Sequence, residues 1–144
     1  MGSGVIPTTQ TILHDPENGI NGNCLSAVLA SLMHVDIADV PVFCDEVSWV
    51  KDLNAWLRQF GLAYVQCKNF QEQCEASGIE GCYCEVFGDS PRRPGTLHAT
   101  VGVDGVMVFD PHPDRTGVVG DPVCGLFVAL QPWRMGREKA GGGE

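Results

Sequence analysis

Residues 96–111 read TLHATVGVDGVMVFDP, two β-rich runs joined by Asp104-Gly105. An Asp-Gly pair between two such runs predicts a β-hairpin, because its two-residue turn requires residues that tolerate positive φ. The two arms of this hairpin carry His98 near the start of the first and Asp110 at the end of the second. If both side chains lie on one face, the carboxylate can accept a hydrogen bond from one nitrogen of the imidazole.

A second informative stretch is GNCLSAVLASL at residues 22–32, which follows the turn-rich segment 14–23. Its leucine and valine side chains recur at helical spacing, which predicts a buried helix beginning at Cys24 with Asn21 or Asn23 as its N-cap. The first turn of a helix favours an anion, and the thiolate is the reactive form of cysteine. Cys24 is therefore the predicted nucleophile, with His98 as its proton shuttle and Asp110 orienting the imidazole.

The remaining chain alternates between apolar runs and turn signals, and it predicts an α+β domain with helices on one side of a mainly antiparallel sheet. Further helices are predicted at 46–60, ended by Gly61, and at 69–77; further strands are predicted at 62–67, 81–87 and 125–130. We expect residues 1–135 to form a single domain and residues 136–144 to be a flexible tail.

Composition excludes some classes of partner. The chain has 144 residues with 18 acidic and 9 scattered basic ones, a net charge of -9, so nucleic acid is not an expected partner. No apolar run is long enough to cross a membrane, and the N-terminus lacks the pattern of a secretory signal. Seven cysteines without such a signal predict reduced thiols and a cytoplasmic location.

The two stretches GNCLSAVLASL and HATVGVDGVMVFDP resemble the papain-like cysteine hydrolases, in particular their compact bacterial and phage-type members and the bacteriocin-processing peptidases. The resemblance implies a papain-like fold, in which a helix that carries the cysteine packs on a sheet that carries the histidine and aspartate. It also implies hydrolysis of an amide, peptide or isopeptide bond through a thioester on Cys24, with a peptide or protein substrate and no cofactor.

The same family places a glutamine upstream of the nucleophile, where its amide completes the oxyanion hole together with the backbone N–H of the cysteine. Gln10 is the only glutamine before Cys24, and we assign it this role. The family commonly has this glutamine closer to the cysteine, where the chain has Asn18, and an insertion at 14–20 would account for the difference. Asn18, Asn21 and Asn23 remain alternatives.

Three residues are expected to face the substrate: Asn23, Trp49 and His112. Arg92 and Arg93, in the loop before His98, would border the cleft in a papain-like layout.

The other cysteines are assigned to structure rather than chemistry. Cys82 and Cys84 would point to the same side of their strand, but no second pair at ligand spacing accompanies them, so we expect no metal site. Cys67, Cys74 and Cys124 are expected in the core, and Cys44 in a loop.

Two alternatives to hydrolysis remain open. The thioester could pass its acyl group to an amine, as in transglutaminase-like enzymes and acyltransferases. The scaffold could also serve as a binding or inhibitory module without catalysis. The sequence leaves the oligomeric state open.

Overall fold

A computed structural model describes residues 4–136 and contains a five-stranded antiparallel sheet with helices on both of its faces. The helices are α1 (Cys24–Met33), α2 (Trp49–Leu57) and α3 (Phe70–Ser77), and the strands are β1 (Leu62–Lys68), β2 (Tyr83–Asp89), β3 (Leu97–Val103), β4 (Val106–Phe109) and β5 (Val119–Ala129). The strand order is β1-β5-β2-β3-β4. The predicted α+β class is confirmed, while the predicted tail lies, apart from Gly136, outside the described residues. No helix in the described part of the chain is sufficiently long and apolar to cross a bilayer.

Helix α1 packs on the strand that carries His98. Val28 of α1 is fully buried in one apolar cluster with Ala99 and Val101 of β3. On its other side, Leu29 shares a second cluster with Leu53 and Leu57 of α2 and with Tyr64 of β1. Burying these side chains fixes α1 against β3.

Helix α3 covers the opposite face of the sheet. Phe70 and Cys74, one helical turn apart, pack against Cys84 and Val86 of β2 and Cys124 of β5. Side chains alternate along a strand, so this face is opposite to the one that Phe87 shares with α1. The expectation that all helices lie on one side is therefore wrong, because α3 has an apolar pair of its own to bury.

The Asp104-Gly105 turn joins β3 to β4 as predicted. Asp104 and Gly105 have φ values of 54° and 86°, the two positive values that a type I′ turn requires. The Asp104 carboxylate also accepts hydrogen bonds from the backbone N–H groups of Gly81, at 3.0 Å, and Cys82, at 2.7 Å. The turn is thus tied to the start of β2, which fixes the hairpin that carries His98 and Asp110.

Two element boundaries differ from the sequence prediction. Asp45 accepts hydrogen bonds from the N–H groups of Val47 and Ser48, both at 2.9 Å, and this turn delays the start of α2 from residue 46 to Trp49. Strand β5 begins at Val119 rather than at residue 125. Its pairing with β2 shifts register just where Gly120 and Pro122 occur, so a β-bulge accommodates two residues that resemble a turn in the sequence.

Candidate active site

The start of α1 and the start of β3 meet at a cavity of about 640 Å³, which we call the cleft. The predicted site residues that line it are Gln10, Asn23, Cys24, Trp49, His98 and His112. Asp110 lies directly behind His98 and is buried. All seven predicted site residues thus come together in one region of the fold.

Cys24 is the first residue of α1 and is half-buried. Asn23 occupies the N-cap position, but its side chain makes no capping hydrogen bond to the helix. The N–H groups of the first helical turn have no partner within the helix. The backbone N–H of Cys24, which lies close to the sulfur of the same residue, therefore has no capping partner from Asn23. An anion that forms at this point faces both the positive end of the helix dipole and this donor.

The His98 ring contacts Asp110 and lines the cleft together with Cys24. Its Nε2 lies 2.6 Å from Oδ1 of Asp110, so Nδ1 is the nitrogen left for Cys24. Burial of the ring opposes its protonation, but the interactions with Asp110 and then with Cys24 more than compensate and raise the pKa of His98 to about 9. The imidazole therefore favours its charged form at neutral pH.

Asp110 is held ionised by a dense set of donors. Burial alone would raise the pKa of this carboxyl, but His98 and the backbone N–H groups of His112, at 2.9 Å, and Gly117, at 2.6 Å, lower it below its ordinary value. Arg115 donates from Nη1 to the Asp110 carbonyl at 2.6 Å and fixes the backbone at the same point. Both carboxylate oxygens are therefore held in place, Oδ1 by the His112 N–H and Oδ2 by the Gly117 N–H.

Gln10 reaches the cleft because Asn23 holds the chain next to it. Oδ1 of Asn23 accepts hydrogen bonds from the N–H groups of Thr11, at 3.1 Å, and Ile12, at 2.9 Å. Nε2 of Gln10 donates to the Ile12 carbonyl at 2.9 Å, which fixes the orientation of the amide and leaves a second N–H on the same nitrogen. Asn23, expected to face the substrate, is thus buried and engaged in positioning Gln10.

The long spacing between Gln10 and Cys24 is taken up by a loop, residues 13–22. Asp15 and Ile20 pair with each other inside this loop, and the Asn18 amide donates to Asp15 at 2.7 Å on the exposed surface. At its base, the loop closes tightly: a Cβ on Gly22 would lie 2.8 Å from the His14 nitrogen and 3.3 Å from Nε2 of Gln10. Of the three asparagines considered as oxyanion donors, Asn18 is directed at the loop itself, and Asn21 lines the cleft with Gln10.

His112 and Trp49 form parts of the cleft wall. The His112 ring lies edge-on to His98, with 6.1 Å between ring centroids, and its Nδ1 accepts from the Asp114 N–H at 3.1 Å. Burial, followed by the charge of Arg92, lowers the pKa of His112, so this ring stays neutral where His98 is charged. The Trp49 ring packs at 5.9 Å from Tyr64.

One residue of the cleft was not anticipated from the sequence. Glu85 of β2 lines the cleft and is 2 % exposed, and the Tyr64 hydroxyl donates to its Oε1. The available signal was its place in the CYCEVF run, where alternation puts a charged residue on the same face as Phe87.

Five of the seven cysteines gather on the opposite face of the sheet, around α3. They are Cys67, Cys74, Cys82, Cys84 and Cys124. Burial raises the pKa of Cys74 and of Cys82, which keeps both thiols protonated. Within residues 4–136, no three His, Cys, Asp or Glu side chains are arranged to hold a metal ion. Cys44, by contrast, is exposed and lines the cleft together with Cys24.

Comparison of the chain with protein-family models, curated proteins and solved structures finds no match.

Proposed function

We propose that this chain is a papain-like cysteine hydrolase that cleaves an amide or peptide bond through a thioester on Cys24. The observation that carries the proposal is geometric: Cys24 and His98 line the same cleft, and Asp110 lies 2.6 Å behind the His98 ring. A buried structural histidine needs a single partner, whereas this one lies between a carboxylate and a thiol that opens onto a cavity.

Acylation starts from the thiolate form of Cys24, which is the nucleophilic form of a cysteine. The thiolate sulfur of Cys24 attacks the substrate carbonyl carbon, and the carbonyl π electrons move to the oxygen. The second N–H of Gln10 Nε2 and the backbone N–H of Cys24 donate to this oxyanion. As the C–N bond breaks, Nδ1 of His98 gives its proton to the leaving amine, and Asp110 holds the ring in place throughout.

In deacylation the same groups act again, with His98 accepting a proton instead of donating one. A water molecule loses a proton to the now neutral Nδ1 of His98 and attacks the thioester carbonyl. The same two donors stabilise the second oxyanion, and the C–S bond breaks to release a carboxylic acid. The thiolate and the imidazolium are restored, so no cofactor is consumed.

The test compares two cysteines of the same cleft. The wild-type chain, Cys24→Ala and Cys44→Ala are treated with iodoacetamide near neutral pH and followed by intact-mass and peptide mass spectrometry. A library of peptidyl aminocoumarin amides reports hydrolysis by the same three proteins. We expect wild type and Cys44→Ala to take up one fast adduct at Cys24 and to hydrolyse members of the library.

Cys24→Ala should lose both the fast adduct and the hydrolysis. Fast labelling that persists at another cysteine in this variant would refute Cys24 as the nucleophile.

A further inference from the structure

A second functional feature of the cleft is the carboxyl group of Glu85. A glutamate is rarely buried unless a partner satisfies it, and a charged one needs an opposite charge or several donors. Tyr64 satisfies only Oε1, and Oε2 has no hydrogen-bond partner within residues 4–136. Oε2 is not sealed away, since among the fully buried side-chain N and O atoms of that range only Oε1 of Gln10 is left without a partner. This free oxygen of a residue that lines the cleft is thus open to a ligand.

The fold keeps space for this carboxyl group. Gly125 of β5 lies directly opposite Glu85, and a Cβ at that position would lie 2.4 Å from Oε1 and 2.3 Å from the Tyr64 ring. Any larger residue at Gly125 would displace both side chains. Burial raises the pKa of Glu85 to about 7, against the smaller opposing effect of the Tyr64 hydrogen bond. A cation is the partner that this group lacks.

Glu85 is also close to the reacting groups along the sheet. Phe87 lies two residues further on the same face of β2, about 7 Å away, and it packs in the cluster that includes Cys24 and Ala99. A long side chain of a substrate held at Cys24 can therefore extend toward Glu85. Trp49 and Phe87, which line the same cleft, supply aromatic surface suited to the stem and charge of such a side chain.

Besides His98, the cleft contains two positively charged side chains, Arg92 and Arg93. Arg92 and Arg93 belong to the loop after β2, and the strand from Glu85 to its end at Asp89 spans about 13 Å. Arg92 already donates from Nη1 to both Asp114 oxygens, at 2.9 Å and 3.1 Å, and to Thr116 at 2.9 Å. Within residues 4–136, neither an arginine nor His98 forms an ion pair with Glu85.

We propose that Glu85 is a specificity-determining residue, whose free carboxylate oxygen binds the cationic side chain of a lysine or arginine near the scissile bond of the substrate. This inference rests on the proposed function, because it assigns a substrate class to the same cleft. The net charge of -9 is consistent with attraction of a basic peptide.

The experiment measures the rate of Cys24 alkylation by peptidyl acyloxymethyl ketones, so that turnover is not required. Matched ketones carry lysine, norleucine or glutamate at one of the two residues that precede the ketone. For the wild-type chain, we expect the lysine ketone to react about tenfold faster than the norleucine ketone at one of these positions, as a charge-assisted hydrogen bond provides. The glutamate ketone should be the slowest.

Glu85→Gln should reduce the lysine preference to near unity while the norleucine rate changes little. Glu46→Gln is the matched control, since Glu46 is an exposed acid of the same cleft, and it should retain the preference. The wild-type order needs no variant to fold, so a chain that reacts equally with all three ketones overturns the assignment of Glu85 alone. A chain whose Cys24 reacts with none of them overturns the proposed function as well.

Discussion

Nε2 of His98 lies 2.6 Å from Oδ1 of Asp110, although twelve residues and a chain reversal separate the two. The β3–β4 hairpin brings them together, and hydrogen bonds to Asp104 hold the hairpin turn against the start of β2. The contact commits one ring nitrogen to the carboxylate and leaves the other for Cys24. This division of the two nitrogens is what the proposed proton transfers need.

Replacing Asp110 by asparagine should uncouple this pair. Without the carboxylate, the pKa of His98 should fall from about 9. Hydrolysis should decline by about 100-fold or more, because the imidazole loses its charge and its orientation. An NMR titration of the His98 ring and the turnover of a cleaved peptide amide measure the two effects.

Asp114→Asn is the control for this substitution, because Asp114 binds Arg92 and His112 rather than His98. An unchanged His98 titration in Asp110→Asn, or an equal loss of turnover in Asp114→Asn, would contradict the assignment.

Stability should fall as the pH rises from 6.5 to 9. The folded state raises the pKa of His98 from 6.5 to about 9, so it binds a proton that the unfolded chain has already released. His98 therefore contributes its full stabilisation below pH 6.5 and loses it as the pH rises through 9, with a slope of at most about 1.4 kcal/mol per pH unit. Denaturant unfolding at a series of pH values measures this slope.

His98→Gln should flatten the slope in that window, whereas His14→Gln, a change in an exposed loop residue, should leave it as in wild type. The same slope in His98→Gln as in wild type would show that other groups cause it.

Removing the amide of Gln10 should affect the acyl-transfer step alone. Gln10→Ala should lower kcat by about 10²–10³-fold with little change in KM, because the amide contacts the oxyanion rather than the ground-state substrate. Alkylation of Cys24 by iodoacetamide forms no oxyanion, and its rate should stay near that of wild type. Steady-state kinetics and labelling kinetics on one preparation separate the two effects.

Asn21→Ala serves as the comparison, since Asn21 also lines the cleft. If it loses turnover and Gln10→Ala does not, Asn21 is the oxyanion donor.

Local signals carried most of what could be predicted. The helix that begins at Cys24 and the Asp104-Gly105 hairpin depend on periodicity and turn chemistry within a few residues, so both elements were predictable. The placement of α3 was not, because an apolar pair one turn apart does not indicate which face of the sheet it will cover. The first part of β5 was missed because Gly120 and Pro122 favour a turn unless a bulge accommodates them.

The burial of Glu85 could not be predicted from the sequence around it. Its burial depends on Tyr64 as a donor and on the absence of a side chain at Gly125, and these residues lie on two other strands. Alternation within the CYCEVF run places Glu85 on the same face as Phe87, but it does not show whether this glutamate is buried or exposed to solvent.

The hydrogen bonds from residues 11 and 12 to Asn23 hold these two parts of the chain together, whatever the number of residues between them. The loop that they close begins and ends at nearly the same point, so residues can be added to or removed from its tip while the Gln10 amide stays beside Cys24. The length of residues 13–22, and with it the rim of the cleft, can thus change independently of the reacting groups.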